Sequence, residues 1–173
     1  MKTLHLLRHA KSSWKEDVED HERPLSPRGR EAARRVGKHL VKTIGPLDLV
    51  LCSTALRTRQ TLELVVGRYA VAPRVLIEDD LYAASREGLM DRLSRVSEEQ
   101  ANVLVIAHNP GIHELALALA QTGSPGLRAL ACGKFPTAAR ASFLVCGPWS
   151  QLALSRHRLV DYVTPASLAG GKG

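Results

Sequence analysis

Short apolar runs alternate along the chain with longer stretches in which apolar residues recur every three or four positions. TLHLL (3–7), LDLVLCS (47–53), RVLIEDD (74–80) and ANVLVIAH (101–108) are of the first kind. All four predict strands, and LDLVLCS, a continuous apolar run, predicts one buried on both faces. The stretch SPRGREAARRVGKHLVKTIG is of the second kind. Ser26 can cap it, Pro27 suits a first helical turn, and Ala32, Ala33, Val36, Leu40 and Val41 recur at helical spacing before Gly45-Pro46 ends it. ALRTRQTLELVVGRYA (55–70), SREGLMDRLSRVS (85–97) and NPGIHELALALAQTG (109–123) also read as helices. ARASFLVC and QLALSRHRL predict a strand pair around Gly147-Pro148, and the tail ASLAGGKG is expected to be flexible.

Strand and helix alternate through most of this order. That predicts an α/β fold, a three-layer α/β/α sandwich with a mainly parallel central sheet. No internal repeat and no long linker divides the chain, and 173 residues suit one domain with a full core. Residues 1–165 are expected to form that domain, with 166–173 as the tail.

In parallel sheets ligands bind beyond the carboxyl ends of the strands. The first run ends in Arg8-His9, the second in Ser53 with Arg57 one turn on, the third in Asp79-Asp80 and the fourth in His108-Asn109. Two histidines, two arginines and a carboxylate are therefore expected on one rim. Helices that start after Ser53 and Asn109 would aim their free N–H groups there, which suits an oxyanion. A buried strand can finish in Arg-His because its end opens onto an anion site.

Composition narrows the picture. Hydrophobic residues make up 45% of the chain and the net charge is +7, which favours anionic partners without naming them. Aromatic residues are only 4% and none interleave with basic runs, so no base-stacking surface for nucleic acid is predicted. Cys52, Cys132 and Cys146 have no paired spacing, which gives neither a disulfide framework nor a zinc pattern. The first residues are too short and polar for a signal peptide, and no stretch approaches a membrane span. The expectation is a cytoplasmic protein without nucleic-acid or membrane partners.

Spacing argues against two alternative chemistries. CSTALRT resembles a cysteine-phosphatase loop, but only four residues separate Cys52 from Arg57 where that loop needs five. Cys52 reads better as a small buried hydrophobe. His108 and His113 are five apart, not the four that align two metal ligands on a helix, and no further ligands accompany His5 and His9.

Four stretches in order, LLRHAKSSW, RPLSPRG (23–29), CSTALRTRQT (52–61) and VLVIAHNPG (103–111), make the sequence resemble the histidine phosphatase superfamily, most of all the short SixA-type phosphohistidine phosphatases. The resemblance implies a phosphoglycerate mutase-like fold. It implies that His9 is the nucleophile, that Arg8, Arg57 and His108 hold the phosphoryl oxygens, and that Arg23 can also reach the phosphate. Asn109, beside His108, is a further candidate phosphate ligand. The glycine that follows the family's histidine is Ala10 here. Large lid insertions are lacking, which argues for an open site. Relatives that cleave alkyl phosphates use a carboxylate near the third strand, and Asp80 is the best candidate for that acid.

A neutral imidazole is a competent nucleophile if its other nitrogen donates to a backbone carbonyl. Two arginine forks match phosphate oxygens, and His108 is expected to donate best as imidazolium. These groups can supply the charge that magnesium supplies elsewhere, so no metal or other cofactor is expected. The expected substrate is a phosphohistidine in a protein or a small phosphomonoester, with inorganic phosphate as product. A silent phosphate- or phosphopeptide-binding module is the alternative.

Overall fold

The computed structural model describes residues 1–170. In chain order its principal elements are β1 (Lys2–Arg8), α1 (Pro27–Thr43), β2 (Leu49–Ser53), α2 (Leu56–Val66), β3 (Arg74–Glu78) and α3 (Arg86–Ser94). There follow β4 (Asn102–Ala107), α4 (Gly111–Leu119), α5 (Leu127–Cys132), β5 (Arg140–Val145), β6 (Arg158–Val163) and α6 (Pro165–Ala169). The six strands form one sheet in the order β3-β2-β4-β1-β5-β6. β5 pairs antiparallel with both neighbours and the other pairings are parallel.

Successive strand residues point to opposite faces, so an all-apolar strand must be covered on both sides. Leu4 and Leu6, Leu49 and Leu51, and Val103 and Val105 face α3 and α4, where they meet Leu89, Leu93, Leu115 and Leu119. Leu7, Val50, Cys52, Leu104 and Ile106 face α1 and α2, where they meet Val36, Leu40, Leu62 and Val65. The sandwich is the one expected. Truncating a fully buried leucine such as Leu51 to alanine would remove about 2–5 kcal/mol.

Register brings the strand ends together. Arg8 lies opposite Ala107, so His9 and His108 follow side by side, and the His9 N–H donates to the Ala107 carbonyl at 3.2 Å. Cys52 lies opposite Ile106, which sets Ser53 against the same corner. Two close approaches hold helix starts against this end. A Cβ on Gly29, in the first turn of α1, would lie 2.0 Å from the Lys11 carbonyl oxygen. A Cβ on Gly111, at the start of α4, would lie 2.0 Å from the Ala84 oxygen.

Three local expectations need correction. Residues 149–154 form a 3-10 helix rather than the start of a strand, because Trp149 and Leu152 turn together into the core; the last strand begins at Arg158. Residues 166–169 of the expected flexible tail belong to α6 (Pro165–Ala169), whose Thr164 and Ser167 cap one another reciprocally. Residues 171–173 lie outside the described part. Asp79 and Asp80 belong to a 3-10 turn after β3, not to the strand.

Candidate active site

His9 sits just past β1 and is buried. Its Nδ1 lies 2.7 Å from the Ala10 carbonyl oxygen. A carbonyl can only accept, so Nδ1 carries the proton and Nε2 keeps its lone pair. The Ala10 N–H in turn donates to Thr61 Oγ1 at 3.0 Å, which ties this turn to α2. Burial, then the nearby His108, Arg57 and Arg8, push the His9 pKa down to about 3, against the Ala10 hydrogen bond that raises it. The ring is therefore neutral at neutral pH.

Around it a cavity of about 340 Å³ is lined by Arg8, Arg23, Arg57, His108 and Asn109, with Lys11, Ser12, Trp14 and Thr137 at its sides. The His9 and His108 rings are 5.1 Å apart. Arg57 enters from the first turn of α2, and its two terminal nitrogens donate to the Asp20 carbonyl at 2.6 Å and the Asp20 carboxylate at 3.1 Å. An Arg8 terminal nitrogen donates to the Phe135 carbonyl at 3.0 Å, and the Asn109 amide donates to the same oxygen at 2.9 Å. Arg8 Nε, Arg57 Nε and Asn109 Oδ1 are buried without hydrogen-bond partners among the described residues. Unsatisfied buried arginine donors are costly, and an oxyanion is the partner that suits them.

His108 departs from expectation. Its Nε2 lies 2.7 Å from Ser53 Oγ, and Arg57 approaches Nδ1 at 3.5 Å. Burial first, and Arg57 next, push its pKa down to about 4, so the ring is neutral and not imidazolium in this state. Arg57 can only donate, so Nδ1 accepts in that contact, and Nε2 carries the proton and donates to Ser53 Oγ.

The structure brings Arg8, His9, Arg23, Arg57, His108 and Asn109 together and leaves Asp80 out. Asp80 lines a separate cavity with Glu78, Asp79, Arg92 and Arg95. Two of the lining arginines, Arg23 and Arg57, pair at 3.1 Å each with Asp20, a carboxylate outside the lining that also accepts from the Tyr82 hydroxyl at 2.6 Å. The Tyr82 hydrogen bond above all, then those from Arg23 and Arg57, hold the Asp20 carboxyl far below the usual carboxylate range. The Arg23 guanidinium lies 3.5 Å over the ring of Trp14, which is 79% exposed at the rim. Asp20, Tyr82 and Trp14 were not anticipated. The one sequence signal for Asp20 is its place three residues before Arg23.

Cys52 is buried and its thiol is pushed up to about 12, which fits the apolar filler expected and not a thiolate nucleophile. No helix among the described residues is long and apolar enough to cross a membrane.

Residues 4–82 match the histidine phosphatase superfamily (branch 1). A protein of Mycobacterium tuberculosis is 34% identical over 161 residues, which covers 92% of this chain and 99% of that one. The structure of the candidate phosphohistidine phosphatase SixA from Nakamurella multipartitia superposes with a TM-score of 0.83 at 31% identity, over 95% of this chain and 96% of that chain. That of the candidate SixA from Agrobacterium tumefaciens does so with 0.78 at 27% identity, over 95% and 99%. The fold is thus phosphoglycerate mutase-like, and likeness of this extent in sequence as well as shape means that the protein belongs to the histidine phosphatase superfamily, on its SixA-like side.

Proposed function

We propose that the protein is a metal-independent phosphatase that removes phosphate from phosphohistidine in proteins through a phosphorylated His9. The observation that carries this reading is the hydrogen bond from His9 Nδ1 to the Ala10 carbonyl, which leaves Nε2 unprotonated in an arginine-lined pocket. Nε2 attacks phosphorus while the bond to the leaving nitrogen breaks. Arg8 and Arg57 spread the charge of the equatorial oxygens, and a dianion between them favours the protonated form of His108. Water then attacks phospho-His9, the P–Nε2 bond breaks, and phosphate leaves.

Asp20 bears on the leaving group. A carboxyl held ionised is a poor proton donor to an alkoxide. A phosphorylated imidazole that carries a proton on its distal nitrogen needs no such donor, because P–N cleavage releases it as neutral imidazole. The ionised Asp20 paired with Arg57, and the exposure of Trp14 at the rim, favour a protein imidazole over a small alkyl phosphate.

The test is a substrate panel with a denaturing quench in alkali, where a phosphohistidine survives. Wild type should hydrolyse a phosphohistidine peptide faster than a sugar phosphate, retain its rate in EDTA and yield an acid-labile phosphoryl group on His9. A rate that vanishes on chelation and returns with a divalent ion, or a stronger preference for the sugar phosphate, would overturn the reading. Binding of the peptide without turnover would leave only a phosphopeptide-binding module.

A further inference from the structure

The phosphate pocket is not closed on its Lys11 side. Lys11 and Thr137 line both it and a neighbouring cavity of about 240 Å³. That cavity shares Arg28, Ala32, Pro165 and Ala166 with a third, of about 300 Å³. The three form one trough between the start of α1 and α6. The outer wall exists because α6 is capped at Thr164 and Leu168 packs against the apolar layer under α1.

The trough has a length and a charge. From Arg28 to Arg35, α1 rises about 10 Å, the reach of about three extended residues. Lys11, Arg28 and Arg35 stand along it, against one carboxylate, Glu31, which pairs with Arg35 at 3.1 Å. Three cations against one anion leave a net charge of +2. Between them the lining is small and apolar, with Ala32, Pro136, Pro165 and Ala166.

We infer that this trough docks an extended, acidic segment of the phosphorylated protein, next to the residue that enters the phosphate pocket. The occupant follows from two observations, the positive charge of the walls and the continuity with the pocket through Lys11 and Thr137. The small apolar floor admits a backbone at close range, and the rim cations meet carboxylates beside it. The inference rests on the phosphohistidine reading above and adds to it which protein segments are preferred.

The experiment compares two phosphohistidine peptides that are identical except that flanking Asp and Glu in one are Asn and Gln in the other. 4-Nitrophenyl phosphate serves as the substrate with no flank. Wild type should show a KM about 3- to 10-fold lower for the acidic peptide, the size expected of a few exposed charge pairs. Arg28→Glu with Arg35→Glu should erase or invert that preference. Ala166→Trp, which fills the trough, should raise KM for both peptides, and all variants should keep wild-type kcat/KM on 4-nitrophenyl phosphate. Equal KM for the two peptides in wild type would overturn the docking assignment while the phosphohistidine reading stands. Turnover of 4-nitrophenyl phosphate but of neither peptide would overturn both. Inhibition of peptide turnover by an oligonucleotide, relieved by the Arg28→Glu and Arg35→Glu changes, with no effect of the peptide flank, would give the trough to nucleic acid instead.

Discussion

His5 and His9 stand four residues apart on the same stretch of chain, each buried and each beside a buried arginine. Around His5 the polar groups answer one another. Nε2 donates to Asn102 Oδ1 at 2.8 Å and Nδ1 meets Ser142 Oγ at 2.8 Å. Arg140, 1% exposed, donates to Ser142 Oγ at 2.5 Å and to Asp161 at 2.6 Å, although its Nε has no partner. One cation faces one carboxylate. Among the described residues, around His9 one ring nitrogen has no partner, two arginines keep an unpartnered Nε, and of Arg8, Arg23 and Arg57 only the last two pair with a carboxylate, the shared Asp20. The same residue types therefore make a balanced network at one place and an excess positive charge at the other. What separates them is unspent hydrogen-bonding and charge, not residue identity.

The largest effect should come from the histidines themselves. His9→Ala should lose at least about 10³-fold in turnover with its fold intact, as loss of a nucleophile does. His5→Gln should keep turnover within about threefold and lower Tm. Substantial activity in the first variant, or its loss in the second, would break the contrast.

Next come the carboxylates. Asp20→Asn releases Arg57 and Arg23 and should lower kcat/KM about 10- to 100-fold. Asp80→Asn, on a cavity apart from the pocket, should change it less than threefold. The reverse order would favour Asp80 as the acid.

Asp161→Asn leaves Arg140 buried without a counter-charge. A fully buried pair broken in this way loses about 3–5 kcal/mol, and with Asp161 41% exposed a loss of about 1–3 kcal/mol is expected by denaturant titration. Activity should be unchanged.

The smallest effect is on pH. His5, His9 and His108 have pKa values pushed down to about 4, 3 and 4 by burial, from an ordinary 6.5. Between those values the unfolded chain binds protons that the native state refuses. Stability is thus full above pH 6.5 and falls as pH drops from 6.5 towards 4, by up to about 1.4 kcal/mol per pH unit for each ring. His5→Gln should flatten that slope in urea titrations without moving the kinetic pH profile. An unchanged slope would mean that His5 titrates normally.

The sheet was legible because β2 and β4 are apolar on both faces and β1 carries Leu4, Leu6 and Leu7, and few other structures bury such runs. The convergence of Arg8, His9, Arg57 and His108 was legible because a parallel sheet gathers its strand ends at one edge. The segment 151–157 was misread because its apolar residues belong to a short 3-10 helix, whose short period resembles an interrupted strand. Asp20 was missed because it lies in the acidic run EDVEDHE, which reads as solvated charge. Its role depends on Arg57 and Tyr82, 37 and 62 residues away, and single-sequence spacing carries no such contact. Asp80 drew attention by position at a strand end, but the chain turns there and takes it to another cavity.

Cys52 makes the breathing of this region measurable. It is the buried one of three cysteines, on β2 directly before Ser53, while Cys132 and Cys146 are exposed. An alkylating reagent should consume the two exposed thiols at once and reach Cys52 only when β2 opens. The lag between the fast and slow modification is then a clock for the strand that leads into the phosphate pocket, and any ligand that fills the pocket should slow it.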